Sequence, residues 1–214
     1  MHVDLDEARP AFLGQLDLLL AVATGLTDRD LLAPSRCTGW TVSEALVHVH
    51  MGLQEMLLGC VSSTDAPPDT DAASYWRDFS PSETDFAGVQ FVRRLAAAYH
   101  RPSGLLPHLT PTTEGVRAAV RTLTPPAVRF QGHVLPYADF LATWAVELAV
   151  HHLDITSAPA HPPALHLGRR TIEALAGTPL PPTWSDETVV LLGTGRESPT
   201  PAQRPAAAAL PVLG

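Results

Sequence analysis

The sequence predicts an all-α protein, a four-helix bundle with long connections and a short Pro-rich C-terminal extension. Apolar residues recur at three- and four-residue steps in four separate segments. Two of those segments open with cap-and-acid signals, and the stretches between them are polar or rich in proline. With 214 residues, 45% of them hydrophobic and 17% charged, the chain suits one sizeable domain better than two. The expected organisation is a bundle over 1–158 and an extension over 159–214 that packs on it.

The first helix lies within residues 4–25. Leu5, Phe12, Leu16, Leu19, Leu20 and Ala23 form its stripe, Gly25 marks its end, and Pro10 suggests where its regular part begins. A loop, LLAPSRCTGW, leads to TVSE, in which Thr41 and Glu44 can bond each other's backbone N–H as a capping box. Val42, Ala45, Leu46, Val49, Leu53, Met56 and Leu57 then define a second helix over about 41–60. Residues 61–80 are acidic and rich in Pro and Ser and read as a long loop, either plain solvent-facing chain or, through Tyr75 and Trp76, a cover for a site. SPSE at 80–83 repeats the cap logic with Pro81 at the first helical position, and Phe86, Val89, Val92, Leu95 and Tyr99 carry a third helix to about His100. RPSGLLPHLTPTT is expected to break it. Residues 115–135 fit short strands around Pro125-Pro126 and a helical turn with a loop equally well. The fourth helix runs from about Pro136 to Ser157. Beyond it, nearly half of the 21 prolines accompany two short helix candidates, 168–177 and 185–193.

A formal charge of −8 with scattered arginines argues against nucleic acid, whose affinity comes from clustered cations. The N-terminus lacks the basic start and apolar run of a secretion signal, and no apolar stretch reaches the roughly 20 residues that span a bilayer. Cys37 and Cys60 form no close-spaced metal or redox pattern. The expectation is a cytoplasmic protein, monomer or homodimer, acting on small molecules.

Within WAVELAVHHLDI, residues 144–155, four ionisable groups interrupt a nearly apolar helix. Residues three and four apart share a face, so Glu147, His151 and Asp154 form one stripe, while His152 is rotated by roughly 100°. Three readings remain open for the stripe: an exposed surface pair, a buried hydrogen-bonded pair, or part of a metal site. A carboxylate among apolar neighbours costs several kcal/mol unless paired or metal-bound. Two imidazoles and one carboxylate would leave coordination positions free, and the extra donor would come from LVHVHMG on the second helix. There, periodicity leans slightly towards His50 rather than His48.

CTGWTVSEALVHVH resembles a segment of the mycothiol-dependent maleylpyruvate isomerase group of the DinB-like superfamily, in which a metal-binding histidine follows the tryptophan by eight residues. Counted from Trp40, that residue is His48. ELAVHHLDI resembles the same family's Glu-x-x-x-His-x-x-Asp segment, matching Glu147, His151 and Asp154, and WSDETVVLLGTGRESPT is similar to its C-terminal part. The resemblance implies a DinB-like bundle and a divalent metal, zinc first among the choices, on His48, Glu147 and His151. His50 and His152 become flanking residues.

It further implies that mycothiol, a small thiol of actinobacteria, is the cosubstrate and reacts as a metal-activated thiolate with an electrophile, in transfer or in cis-trans isomerisation. Asp154 would then support His151 or face solvent. Arg196 would match the arginine that isomerase members place near substrate carboxylates, or be an exposed residue after a helix end. The competing reading is a non-catalytic DinB-like ligand-binding or stress-related protein. Neither cysteine is needed as nucleophile.

Overall fold

In a computed structural model, residues 1–78 and 86–213 are described. Eight helices appear among them: α1 (Leu5–Gly25), α2 (Asp28–Leu31), α3 (Val42–Val61), α4 (Phe86–Ala97), α5 (Leu106–Thr122), α6 (Tyr137–Ile155), α7 (Pro162–Ala176) and α8 (Asp186–Gly193). Three short strands, β1 (Ser63–Thr64), β2 (Ala127–Phe130) and β3 (His133–Pro136), form an antiparallel sheet in the order β1-β2-β3. The protein is therefore mostly helical, with a small sheet built from strands at 127–136, where short strands are one of the two readings, and from Ser63–Thr64.

Helix α6 is the axis of the molecule: α1 packs along it, α3 and α7 also contact it, and α8 packs on α7. Its apolar sequence follows from this position, because nearly every side chain from Tyr137 to Ile155 is buried. One continuous core includes Phe12, Leu46, Phe140 and Leu148 together with Leu167 and Val190 of the C-terminal helices. The segment after residue 158 thus shares the core of the bundle. No helix among the described residues is long and apolar enough to cross a membrane.

Helix α3 begins as its sequence dictates: Glu44 N–H donates to Thr41 Oγ1 at 3.3 Å and Thr41 N–H to Glu44 Oε2 at 2.7 Å. Ser185 caps α8 similarly, and α7 ends on Gly177 at φ +69°, a left-handed position that suits glycine. The expected cap at Ser80 to Glu83 lies outside the described residues.

Helix α1 starts at Leu5 and carries Pro10 inside it, rather than beginning there. The stretch expected to break the chain after His100 instead becomes a 3₁₀ turn, Pro102–Leu105, running into α5. Pro107 falls in the first turn, where an N–H is not required. Leu109, Thr113, Val116 and Val120 then supply a buried stripe that outweighs the interruption at Pro111. Residues 115–135 therefore contain both a helix end and a hairpin. The hairpin turns on Gln131 (φ +48°) and Gly132 (φ +88°), the pair of positive φ angles of a tight type I′ turn.

The two cysteines have different surroundings. Cys60 is buried in the core, and burial pushes its thiol up to about 11, against a weak contact from the Tyr137 hydroxyl. Cys37 is half-buried and lines the cavity described below. Burial and then Asp154 raise the Cys37 thiol too, so at pH 8 iodoacetamide is expected to label Cys37 slowly and to spare the more deeply buried Cys60 until the protein unfolds. Peptide mapping checks this; equal labelling of both in the folded protein would contradict the burial.

Candidate metal centre

Helices α3 and α6 lie side by side and present His48 to Glu147. Helical phase does place His50 deeper than His48, but against the wrong neighbour. His50 Nε2–H donates to Thr112 Oγ1 of α5 at 3.1 Å, and that hydroxyl in turn donates to the His108 carbonyl. Half-exposed His48 faces α6 instead, its Nε2 3.3 Å from Glu147 Oε1.

On α6, the four-residue step brings His151 Nε2 to 3.1 Å from the same Glu147 oxygen, and the three-residue step brings its Nδ1 to 3.0 Å from Asp154 Oδ2. The donor atoms of His48, Glu147 and His151 all lie within 4.8 Å of one another. Two imidazole nitrogens and one carboxylate oxygen suit zinc and several other divalent metals.

Burial would raise the Glu147 carboxyl, but His151 and His48 hold it well below the usual carboxylate range, so it accepts from both rings. Burial opposes charge on His151, yet Glu147 and then Asp154 lift it to about 9. Without a metal the imidazole therefore donates at both ends. Asp154, its side chain fully buried, also pairs with Arg196, whose Nε lies 3.2 Å from Oδ1 and Nη2 3.3 Å from Oδ2. Arg196 Nη1 donates to the Thr194 carbonyl at 3.1 Å. Glu147, His151, Asp154 and Arg196 thus form a relay from α6 to the turn after α8. Asp154 is thus buried beside His151 rather than facing solvent, and Arg196 is largely buried rather than exposed after its helix end.

His152 points away from the relay: its Nε2–H donates to the Ala158 carbonyl at 3.1 Å, and burial lowers its pKa. Arg36 was not visible as a site residue. Its backbone N–H donates to the Asp154 carbonyl and its Nη1 to that of Leu153, so it caps α6 and ties the Cys37 loop to the site.

The histidines and Glu147 form part of the wall of a cavity of about 410 Å³. Trp40, Met51, Trp144, Leu148 and Leu213 make much of its apolar wall. Trp144 fits because position 52 is glycine; a Cβ there would stand 3.0 Å from the indole. Tyr75 and Trp76 are buried and line the cavity too, so this part of the 61–80 segment is wall rather than plain solvent loop. Tyr75 donates to Gln131 Oε1 at 2.7 Å, and Gln131 Nε2 donates to Glu55 at 3.0 Å. Gln131 and Glu55 escaped the sequence reading; the only trace was a Gln-Gly pair between short apolar runs, weaker than Asn-Gly as a hairpin signal.

Asp154→Asn is expected to weaken divalent-metal binding about 10- to 100-fold, the usual cost of losing the partner that orients a ligating histidine. Competition against a zinc-binding fluorophore measures it. Unchanged affinity would show that Asp154 does not orient a ligand.

The model of a family described as mycothiol maleylpyruvate isomerase N-terminal domain matches residues 12–156. Among solved structures, a crystal structure of a mutant of the mycothiol-dependent maleylpyruvate isomerase superposes with a TM-score of 0.57 at 12% identity. The match covers 82% of this chain and 72% of that one and shows a shared fold. No curated protein matches the chain.

Proposed function

This chain belongs to the mycothiol maleylpyruvate isomerase N-terminal domain family, and from that premise we propose that it is a metal-dependent enzyme joining a small thiol, mycothiol, to an electrophile. The proposed ligands are His48, Glu147 and His151. The observation that carries this reading is their convergence on the wall of a cavity large enough for a small molecule. Bound there, a divalent cation such as zinc supplies positive charge that keeps a thiol deprotonated and therefore nucleophilic.

The chain's own residues prepare that chemistry. Asp154 holds the Nδ1–H of His151 and leaves Nε2 directed at the donor cluster. Against its burial, His151 and then Arg196 hold the Asp154 carboxyl below its usual range, and Arg196 fixes its position. Trp40 and Trp144 line the same cavity and offer apolar surface beside the donor cluster. At a conjugated double bond, the thiolate sulfur donates its pair to one carbon and the π pair shifts towards the adjoining carbonyl. Rotation and expulsion of the sulfur give the isomer; a proton from solvent gives the stable thioether. Both outcomes use the same addition step.

The test combines the purified protein with mycothiol and monobromobimane. Fluorescent product should form faster than in the absence of protein, the gain should vanish after EDTA, and zinc should restore it. If metal-loaded protein gives no thiol-dependent turnover with bimane, maleimide or conjugated-ketone electrophiles, the non-catalytic ligand-binding reading takes its place.

A further inference from the structure

Helices α3 and α6 run antiparallel beside the cavity and meet level by level. His48 stands opposite Glu147, Gly52 opposite the Trp144 indole, and Gly59 opposite Phe140. Glu55 follows His48 by two turns, so both lie on the cavity face of α3, about 10 Å apart along its axis. The metal-ligating cluster therefore occupies one end of the cavity wall, and Glu55 marks the other.

That far end is assembled from three elements. The Tyr75 hydroxyl donates to Gln131 Oε1 at 2.7 Å, and Gln131 Nε2 donates to Glu55 Oε2 at 3.0 Å. Because a carboxylate only accepts, the amide can lie only this way round. Phe130 packs edge-on to Trp144 at 5.8 Å and so seats the tip of the hairpin at this level. Gln131 stands at φ +48°, where asparagine or glycine is the usual choice. Its side chain, reaching from the turn to both Tyr75 and Glu55, accounts for a residue that the turn alone does not favour. After these bonds one Glu55 oxygen and one Gln131 N–H are left without a partner among the described residues, and both side chains line the cavity. An acceptor beside a donor matches a hydroxyl, which gives and takes at one oxygen, and suits neighbouring hydroxyls best.

We infer that Glu55 and Gln131 bind the hydroxyl-rich end of the thiol cosubstrate and select for it over shorter thiols. The inference rests on the functional reading above, since it names the residues that would recognise the thiol of the same site. With its sulfur at His48, Glu147 and His151, the thiol extends along α3, past Gly52 and the Trp144 indole, towards Glu55. An acylated cysteine ends short of that point, whereas a sugar joined to its carboxyl covers the distance. Mycothiol has this form: an acetylated cysteine amide-linked to glucosamine, which carries inositol. Its hydroxyls lie at the end away from the sulfur, as the two ends of the wall require.

S-Methylmycothiol has no thiol to deprotonate and tests the far end alone; S-methyl-N-acetylcysteine amide is the same molecule without its sugars. Both are titrated calorimetrically into EDTA-treated protein. The wild type should bind the first about tenfold more tightly or better, the worth of one or two hydrogen bonds to a charged group and an amide. In Glu55→Ala and in Gln131→Ala, each verified as folded by circular dichroism, that advantage should shrink severalfold. Equal affinity of the two compounds for the wild type overturns the inference, and that comparison needs no variant. So does an unchanged advantage in either folded variant.

Turnover separates this inference from the function beneath it. With zinc-loaded protein and monobromobimane, the ratio of kcat/KM for mycothiol to that for N-acetylcysteine amide should fall severalfold in Glu55→Ala, through KM for the thiol rather than kcat. A rise in KM for bimane instead would put the electrophile at this end, overturning the inference and leaving the enzyme reading intact. Glu55-dependent binding of S-methylmycothiol with no turnover of any electrophile would do the opposite.

Discussion

His48→Ala is expected to reduce divalent-metal affinity by well over the roughly 10- to 100-fold that an orienting partner contributes, because it removes one of three proposed ligands rather than its support. The side chain is half-exposed and its ring contacts are with Trp40 and His151 at the cavity, so the variant should fold and melt close to the wild type once metal is removed from both. Chelator competition and metal content after gel filtration would measure the loss, and thiol-dependent turnover should fall with it. His50→Ala is the matching control: two residues away and more buried, it bonds α5 rather than α6. It should cost stability and leave metal affinity within a few fold. Should His48→Ala retain the metal as tightly as the wild type, or should the two variants exchange behaviour, the ligand assignment would be wrong.

Phe140→Ala is expected to be the most damaging single change to stability, costing about 3–5 kcal/mol. Phe140 is fully buried two turns before Glu147 on α6, in edge contact with Phe130 at 5.2 Å and near Tyr137 and Trp144. On α3 it lies where a side chain at Gly59 would have to be, with its ring 2.7 Å from an ideal Cβ, so the two helices approach closely at this point. Truncation leaves a void between α3, α6 and β2 that this rigid contact cannot easily close. Urea unfolding followed by circular dichroism should show a lower midpoint with an unchanged slope. The effect should reach the site, since Trp144 loses a neighbour and His48 and Glu147 sit on the two helices this contact spaces. A loss below about 1 kcal/mol would mean that the core repacks freely here, contrary to the usual cost of emptying a buried aromatic position.

Much of the helical framework could be read because local rules govern it. The capping box at Thr41 and Glu44, the stripe from Val42 to Met56 and the glycine stop at Gly177 depend on neighbours within a few residues, and each appears where its pattern puts it. Helix α5 and the hairpin were harder. Proline at 107 and 111 reads as a break, yet burial of Leu109, Val116 and Val120 against the bundle overrides that local preference. Strands of four residues offer too short a pattern to distinguish from a buried turn of helix.

The site divides along the same line. Glu147, His151 and Asp154 are one helix stripe, so their mutual contacts follow from spacing of three and four alone. The sequence by itself determined that stripe, its apolar surroundings and the two histidines that could complete it. It could not determine which histidine faces α6. Phase ranks burial around one helix, and burial against α5 or against α6 gives the same rank. The resemblance pointed to His48, but only the crossing of α3 over α6 sets His48, rather than His50, beside Glu147. The partnership of Asp154 with Arg196 belongs wholly to tertiary structure. It joins residues 42 positions apart and depends on burial that no local pattern encodes.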